Sequence, residues 1–122
     1  MDFIVQNALN SLDNQTTTVD SDVGQANIKV LGCGGAGNNM ADWLYKKGVE
    51  GAEIVSVNTD KMHLDHREAD KKILVGKDTT RGLGAGGIPE VGAQSAREQI
   101  HDLKGAVADA DMIFVCAGIQ YL

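Results

Sequence analysis

Two clusters of glycine constrain this chain more than any other feature. Four glycines fall within residues 32–37 and four more within residues 82–87, out of 15 in 122 residues. A flexible linker would scatter glycine among Ser and Thr, whereas each of these clusters follows an apolar run, where tight turns and close backbone approach are needed. The first, Gly32-Cys33-Gly34-Gly35-Ala36-Gly37, has the spacing G-x-G-x-x-G. It follows a short strand containing Ile28, Val30 and Leu31 and opens a helix predicted over residues 36–47, closed by Gly48. In such a turn the first glycine permits the bend, the second lets backbone N–H groups approach a phosphate, and the third allows close helix packing. The helix N-terminus adds the positive end of its dipole. Asn38 and Asn39 are expected to add side-chain donors to the same anion.

The rest of the chain alternates in kind. Residues 53–58 (Glu-Ile-Val-Ser-Val-Asn) predict a second strand, residues 62–65 a short polar helix, and residues 72–75 a third strand ahead of the second glycine cluster. Pro89 suits the first turn of a helix. Val91, Ala96, Ile100, Leu103 and Val107 then recur at the intervals of a buried helical face. A last strand covers residues 112–117. Strands separated by helices imply an α/β fold with a parallel sheet and right-handed crossovers. The final strand, Met-Ile-Phe-Val-Cys-Ala, is apolar without alternation, as expected of an interior strand covered on both faces. Only five residues follow it, so its second neighbour is not expected within the chain, and the bare edge is an aggregation liability.

Composition narrows the classes. The length allows one domain at most. A net charge of −6 disfavours a nucleic-acid surface or an anionic membrane, since binding phosphate backbones needs a basic face. Two cysteines are too few for a disulfide scaffold and fit a reducing, cytoplasmic setting. No apolar run approaches the ~18 residues needed to span a bilayer. No Lys or Arg precedes Lys29, so the basic start of an export signal is absent. Residues 1–26 form an acidic arm with Asp2, Asp13, Asp20 and Asp22. Within it Phe3, Ile4, Ala8, Leu9 and Leu12 share roughly one helical face, which suits either a short docked helix or a solvated segment.

Asp60 lies some 20 residues beyond Gly37, at the end of the second strand, where a dinucleotide-binding fold places the acid that holds a ribose. Two ligand classes therefore compete, an NAD-type dinucleotide and a nucleoside triphosphate. The second loop, Gly82-Leu83-Gly84-Ala85-Gly86-Gly87, favours the triphosphate, which carries more charge and gains from a second set of backbone donors.

Several motifs in this order resemble the FtsZ family of prokaryotic cell-division GTPases in the tubulin superfamily, closest to archaeal members. They are residues 28–39 (Ile-Lys-Val-Leu-Gly-Cys-Gly-Gly-Ala-Gly-Asn-Asn), Val57-Asn58-Thr59-Asp60, residues 80–87 (Thr-Arg-Gly-Leu-Gly-Ala-Gly-Gly), Pro89-Glu90-Val91-Gly92 and residues 110–118. The resemblance covers about residues 27–118 and leaves 119–122 unmatched. It implies a Rossmann-like GTPase domain with strand order beginning 3-2-1-4, GTP or GDP as ligand with Mg2+ accompanying it, and filaments with nucleotide at each subunit junction. By position, Gly35, Ala36, Gly37, Asn38 and Asn39, next to Gly34 of the G-x-G-x-x-G turn, match the first nucleotide loop. Asn58, Thr59 and Asp60 match the second, near phosphates and metal. Ala85, Gly86 and Gly87 match the third, whose backbone amides sense the γ-phosphate. These assignments concern binding, and no catalytic residue is assigned.

The resemblance also implies parts not found here: a Gly-Gly-Gly-Thr-Gly-Thr-Gly signature loop after Gly118, guanine contacts, and the acidic loop by which a neighbouring subunit activates water. The ending is therefore expected to be a truncation or fragment rather than a functional short form. For this chain alone the expectation is weak or undetectable GTP binding and no turnover. The full-length relative is expected at midcell, self-associating, with unassigned division partners and membrane tether. Two other readings are an NAD-type regulatory module and a non-enzymatic modulator of full-length filaments.

Other residues carry plainer expectations. His63 and His66 have His-x-x-His spacing but lack partner ligands, so a solvated helix is expected. Trp43 is expected to pack. Cys33 and Cys116 are read as buried small apolar residues on strands that the resemblance makes adjacent.

Overall fold

The computed structural model describes residues 4–7 and 26–118. Residues 4–7 are helical, with Ile4 exposed. The rest of the acidic arm and its predicted helix, and residues 119–122, lie outside the described residues.

The described chain runs β1 (Ile28–Cys33), α1 (Gly34–Lys47), β2 (Ala52–Asn58), α2 (Lys61–Asp65), β3 (Lys71–Leu74), α3 (Pro89–Glu98), α4 (Ile100–Val107) and β4 (Met112–Ala117). The strands form one sheet in the order β3-β2-β1-β4, and all three pairings are parallel. Register on both sides of β1 is continuous: Val30 faces Ile54 and Phe114, and Cys33 faces Val57 and Ala117. The carboxyl ends of β1, β2 and β4 therefore lie level, which is where an open parallel sheet places its ligands.

Side-chain alternation sorts the core into two layers. On one face Val30, Ile54 and Cys116 pack with Ala41 and Leu44 of α1. On the other, Val55, Val57 and Ile73 pack with Val75 and with Ala106 of α4, flanked by Leu31, Cys33 and Leu103. Val30 and Val55 are fully buried, each contributing about 1.5–3 kcal/mol by leaving water. The amino ends of the strands are tied by charge. Lys29 reaches Asp109 at 2.9 Å and Glu53 at 3.2 Å, and the Asp109 contact raises its pKa against the opposing effect of burial.

Three expectations change here. The helical pattern after Pro89 is two helices, not one, because the chain breaks at Gln99 (φ −107°, ψ 31°). The Gln99 side chain turns aside and its Oε1 accepts the N–H groups of Gly76 (2.6 Å) and Lys77 (3.3 Å). The predicted buried face is only partly kept: Val91, Ala96, Leu103 and Val107 are half-buried, Ile100 is exposed, and Ser95 and Ala106 are the fully buried positions of α3 and α4. β4 is an edge strand among the described residues. Cys116 is buried and Phe114 half-buried under α1, but Ile113 (43% exposed) and Val115 (63%) on the opposite face are uncovered. Trp43 does not bury either. It is 41% exposed, with Lys47 Nζ 5.1 Å from its ring centroid, a cation–π contact on the surface.

Candidate functional site

A cleft of about 830 Å³ opens at the carboxyl ends of the strands, within the range of small-molecule sites. One wall is the start of α1, residues 33–36. The floor is Asn58, Thr59 and Asp60, with His63 from α2. The facing wall is residues 83–89, and Gly118 after β4 closes one end.

The first wall is a bare helix N-terminus. Cys33 occupies the N-cap position without a side-chain cap, and the first turn of α1 holds no acid. The leading amides of a helix have no acceptor within it, so those of Gly34, Gly35 and Ala36 are left for a ligand. Gly34, with φ +73° and open space where a Cβ would stand, makes the bend that aims them.

The facing wall owes its shape to left-handed backbone. Gly82, Gly84, Gly86 and Gly87 all have positive φ. The segment is stitched to the floor by Lys61 N–H to Gly82 O (3.0 Å), Gly84 N–H to Thr59 O (3.2 Å) and Thr80 Oγ1 to Thr59 O (3.2 Å). Beyond that seam the amides of Ala85, Gly86 and Gly87 donate to no described residue. Behind it Glu98 accepts from the amides of Asp78 (2.6 Å) and Thr79 (3.2 Å) and from Thr79 Oγ1 (2.6 Å). The Thr79 hydroxyl, followed by the Asp78 amide, lowers the Glu98 pKa.

Among the described residues the cleft therefore presents two sets of unpaired amides, with no Lys or Arg in its lining. Its single acid, Asp60, caps α2 by accepting the His63 amide on Oδ1 at 3.0 Å. Among the described residues no group of three or more His, Cys, Asp or Glu could hold a metal ion. Cys33 lines the cleft half-buried, and burial, then the nearby Cys116, raises its pKa, which keeps the thiol protonated and unreactive.

Residues 27–120 match the family model described as Tubulin/FtsZ family, GTPase domain. The chain belongs to the tubulin/FtsZ family. It is 50% identical over 95 residues to cell division protein FtsZ 1 of Methanocaldococcus jannaschii, covering 78% of this chain and 26% of that protein. To cell division protein FtsZ 2 of the same organism it is 47% identical over 116 residues, 95% of this chain and 30% of the relative. A solved structure of an empty FtsZ dimer from M. jannaschii superposes with a TM-score of 0.77 at 44% identity, covering 90% of this chain and 31% of that one. A GTPγS-bound protofilament of CetZ2 from Haloferax volcanii superposes at 0.64 with 29% identity, covering 75% of this chain and 30% of that one. The chain thus spans under a third of the length of these FtsZ relatives.

Within this tubulin/FtsZ fold most expected site residues converge: Gly34, Gly35, Ala36, Asn58, Thr59, Asp60, Ala85, Gly86 and Gly87 all line the cleft. Gly37, Asn38 and Asn39 do not. Asn38 is fully buried, and its Nδ2 donates to Val57 O at 2.9 Å. It fastens α1 to β2 and offers no side-chain donor to an anion, which corrects the expectation from sequence. Gly37 is buried at the crossing of α1 over β4, where a Cβ would collide with the Cys116 carbonyl. Gly32 also changes role. It does not make the bend, but lies inside β1, where a Cβ would stand 2.6 Å from Gly37 O and 2.7 Å from the Ala41 Cβ.

Sequence reasoning missed His63 and the apolar rim of Leu83 and Ile88. His66 is solvated as expected, its Nδ1 against Met62 O at 2.7 Å, but His63 turns into the cleft beside Asn58. The usable signal was its place on the first turn of the helix that Asp60 caps.

Proposed function

We propose that this chain supplies the phosphate-binding part of a GTP site in an FtsZ-type cell-division GTPase. The observation that carries the reading is the pair of facing amide sets, Gly34–Ala36 and Ala85–Gly87, in a cleft lined by no basic side chain. Backbone amides and a helix N-terminus suit a polyphosphate, whose charge is spread over many oxygens. Absent Cβ atoms at Gly35 and Gly86 leave room for a close approach. Mg2+ fits as a companion of the nucleotide. One carboxylate, Asp60, is available, and Mg2+ commonly takes one or two carboxylates together with phosphate oxygens and water. It would neutralise phosphate charge there.

Binding, not turnover, is what these residues supply. Self-association into filaments and action at the division site at midcell, in the cytoplasm, belong to the same reading, as do GDP as the second ligand and full-length FtsZ subunits as partners. The family match and the FtsZ dimer and CetZ2 protofilament likenesses support it.

The test is an NMR titration of the 122-residue chain with GTP, GDP and NADH, with and without Mg2+. GTP is expected to bind weakly and saturably, at about 0.1–1 mM, shifting amides of residues 34–36 and 85–87 and tightening with Mg2+. Preference for NADH would overturn the assignment in favour of a dinucleotide module.

A further inference from the structure

His63 and Arg67 stand in a hydrogen-bonding conflict that an anion would resolve. Asn58 Oδ1 accepts the Asp60 amide at 3.1 Å, which orients the Asn58 carboxamide with its NH2 toward His63 Nδ1, 3.3 Å away. On the other side of the ring, Arg67 Nη2 lies 3.4 Å from His63 Nε2. Both ring nitrogens therefore face donors. An uncharged imidazole has one lone pair and one N–H, so it can accept from only one of them. Asn58 is held by the backbone and Arg67 sits on a long side chain, so the lone pair belongs at Nδ1 and the hydrogen at Nε2.

That leaves Nε2–H and the Arg67 guanidinium as two donors side by side, with no hydrogen-bond acceptor for either of them among the described residues. Arg67 is half-buried, makes no ion pair among the described residues, and its Nε is buried without a partner. Nε2 lies 3.9 Å from where a Cβ on Gly35 would be, beside the bare amides of α1.

We propose that His63, which lines the cleft, and Arg67, behind it, form an anion clamp in which one phosphate oxygen of the nucleotide accepts from both Nε2–H and the Arg67 guanidinium. Asn58 is its positioning residue, setting which ring nitrogen carries the hydrogen. The proposal rests on the phosphate-site reading above and adds a cation that is not in the lining of the cleft but stands behind His63.

The experiment uses the whole chain. Long-range 1H–15N correlation spectra are expected to show His63 with hydrogen on Nε2, and an Asn58→Asp variant, which replaces the donor with an acceptor, to move it to Nδ1. Titration with GTP, and separately with inorganic pyrophosphate, should shift both His63 Nε2 and Arg67 Nε. His63→Ala and Arg67→Ala should each weaken both ligands about tenfold, the lower end expected for one hydrogen bond to a charged group. Because the two share one oxygen, the double variant should lose little more than either single one. His63→Gln, whose amide can place an N–H near Nε2, should recover most of the affinity. If wild type binds neither GTP nor pyrophosphate, the phosphate site and the clamp fall together. Should wild type bind while both alanine variants bind equally well, or His63 carry its hydrogen on Nδ1, the clamp alone is overturned.

Discussion

The two glycine clusters have the same number of glycines and use them for different reasons. In residues 32–37 the critical glycines are sites of contact. Gly32 and Gly37 lie where β1, α1 and β4 come closer than a Cβ allows, with only Gly34 left-handed. In residues 82–87 the glycines are sites of conformation. Four have positive φ, and around Gly86 there is nothing within 4 Å of a Cβ position. The first loop is thus shaped by neighbours that crowd it. The second takes its shape from left-handed backbone, with Gly84 tied to Thr59 and the preceding residues 76–79 held by Glu98 and Gln99.

The comparison can be broken by substitution, and the largest effect belongs to the crowded loop. Gly37→Ala drives a methyl into the Cys116 carbonyl, a backbone group that cannot rotate away. It should cost about 3 kcal/mol, read as a lower urea midpoint, and should loosen β4. An unchanged midpoint would mean that α1 and β4 can slide apart, and the contrast between the loops would fail.

Next comes the left-handed loop. Gly86→Val should destabilise by about 1–2 kcal/mol, with a larger proportional loss of GTP binding. Gly86→Asn should cost less, since Asn tolerates this conformation. Equal costs for Val and Asn would point to space rather than φ as the constraint.

Acid should act behind both loops. On α1, Asp42 accepts the Glu68 amide at 2.7 Å and pairs with Lys46 at 2.9 Å, and the amide is the main cause of its lowered pKa. Glu98 does the same behind the second loop. A carboxyl whose folded pKa lies below its unfolded value stabilises the fold above the unfolded value, and that stability goes as pH falls through the folded one. The contributions should therefore be complete above about pH 5, beyond the ordinary values of 3.8 for Asp and 4.5 for Glu, and shrink below them. In urea titrations at pH 3 to 6, Asp42→Asn and Glu98→Gln should each flatten part of this dependence. Only Glu98→Gln should also perturb amides of residues 78–87.

The smallest effect is expected at Arg81, the one described non-glycine residue with positive φ (56°). Arg81→Gly relieves left-handed strain but adds unfolded-state entropy. These nearly cancel, so stability should change by less than about 0.5 kcal/mol; a gain above 1 kcal/mol would show strain stored at the loop's entry.

Much of this molecule was legible from local pattern. The strands, the helix after the first loop and the turn-forming loops follow from apolar periodicity and glycine placement, within a residue or two. Most of the cleft was legible as well, because nucleotide-binding turns need unhindered amides and their residue types announce it. Asn38 was misread because a side chain one turn into a helix has two destinations, and only the position of the Val57 carbonyl chooses between them. The break at Gln99 was invisible because its cause, the Gly76 amide, is 23 positions away. His63 read as solvated although Asn58 and Arg67 lie only five and four positions away, because whether its ring lines the cleft depends on how α2 sits against the wall of residues 83–89.

The sequence by itself determined where the backbone turns and which segments are strand or helix, since φ preferences and side-chain periodicity are properties of short stretches. Tertiary structure alone decided which glycines are contacts, which amides stay unpaired, and which polar side chains face the cleft. Those depend on approach between distant segments, and a close contact or an unmet donor exists only once both sides are in place.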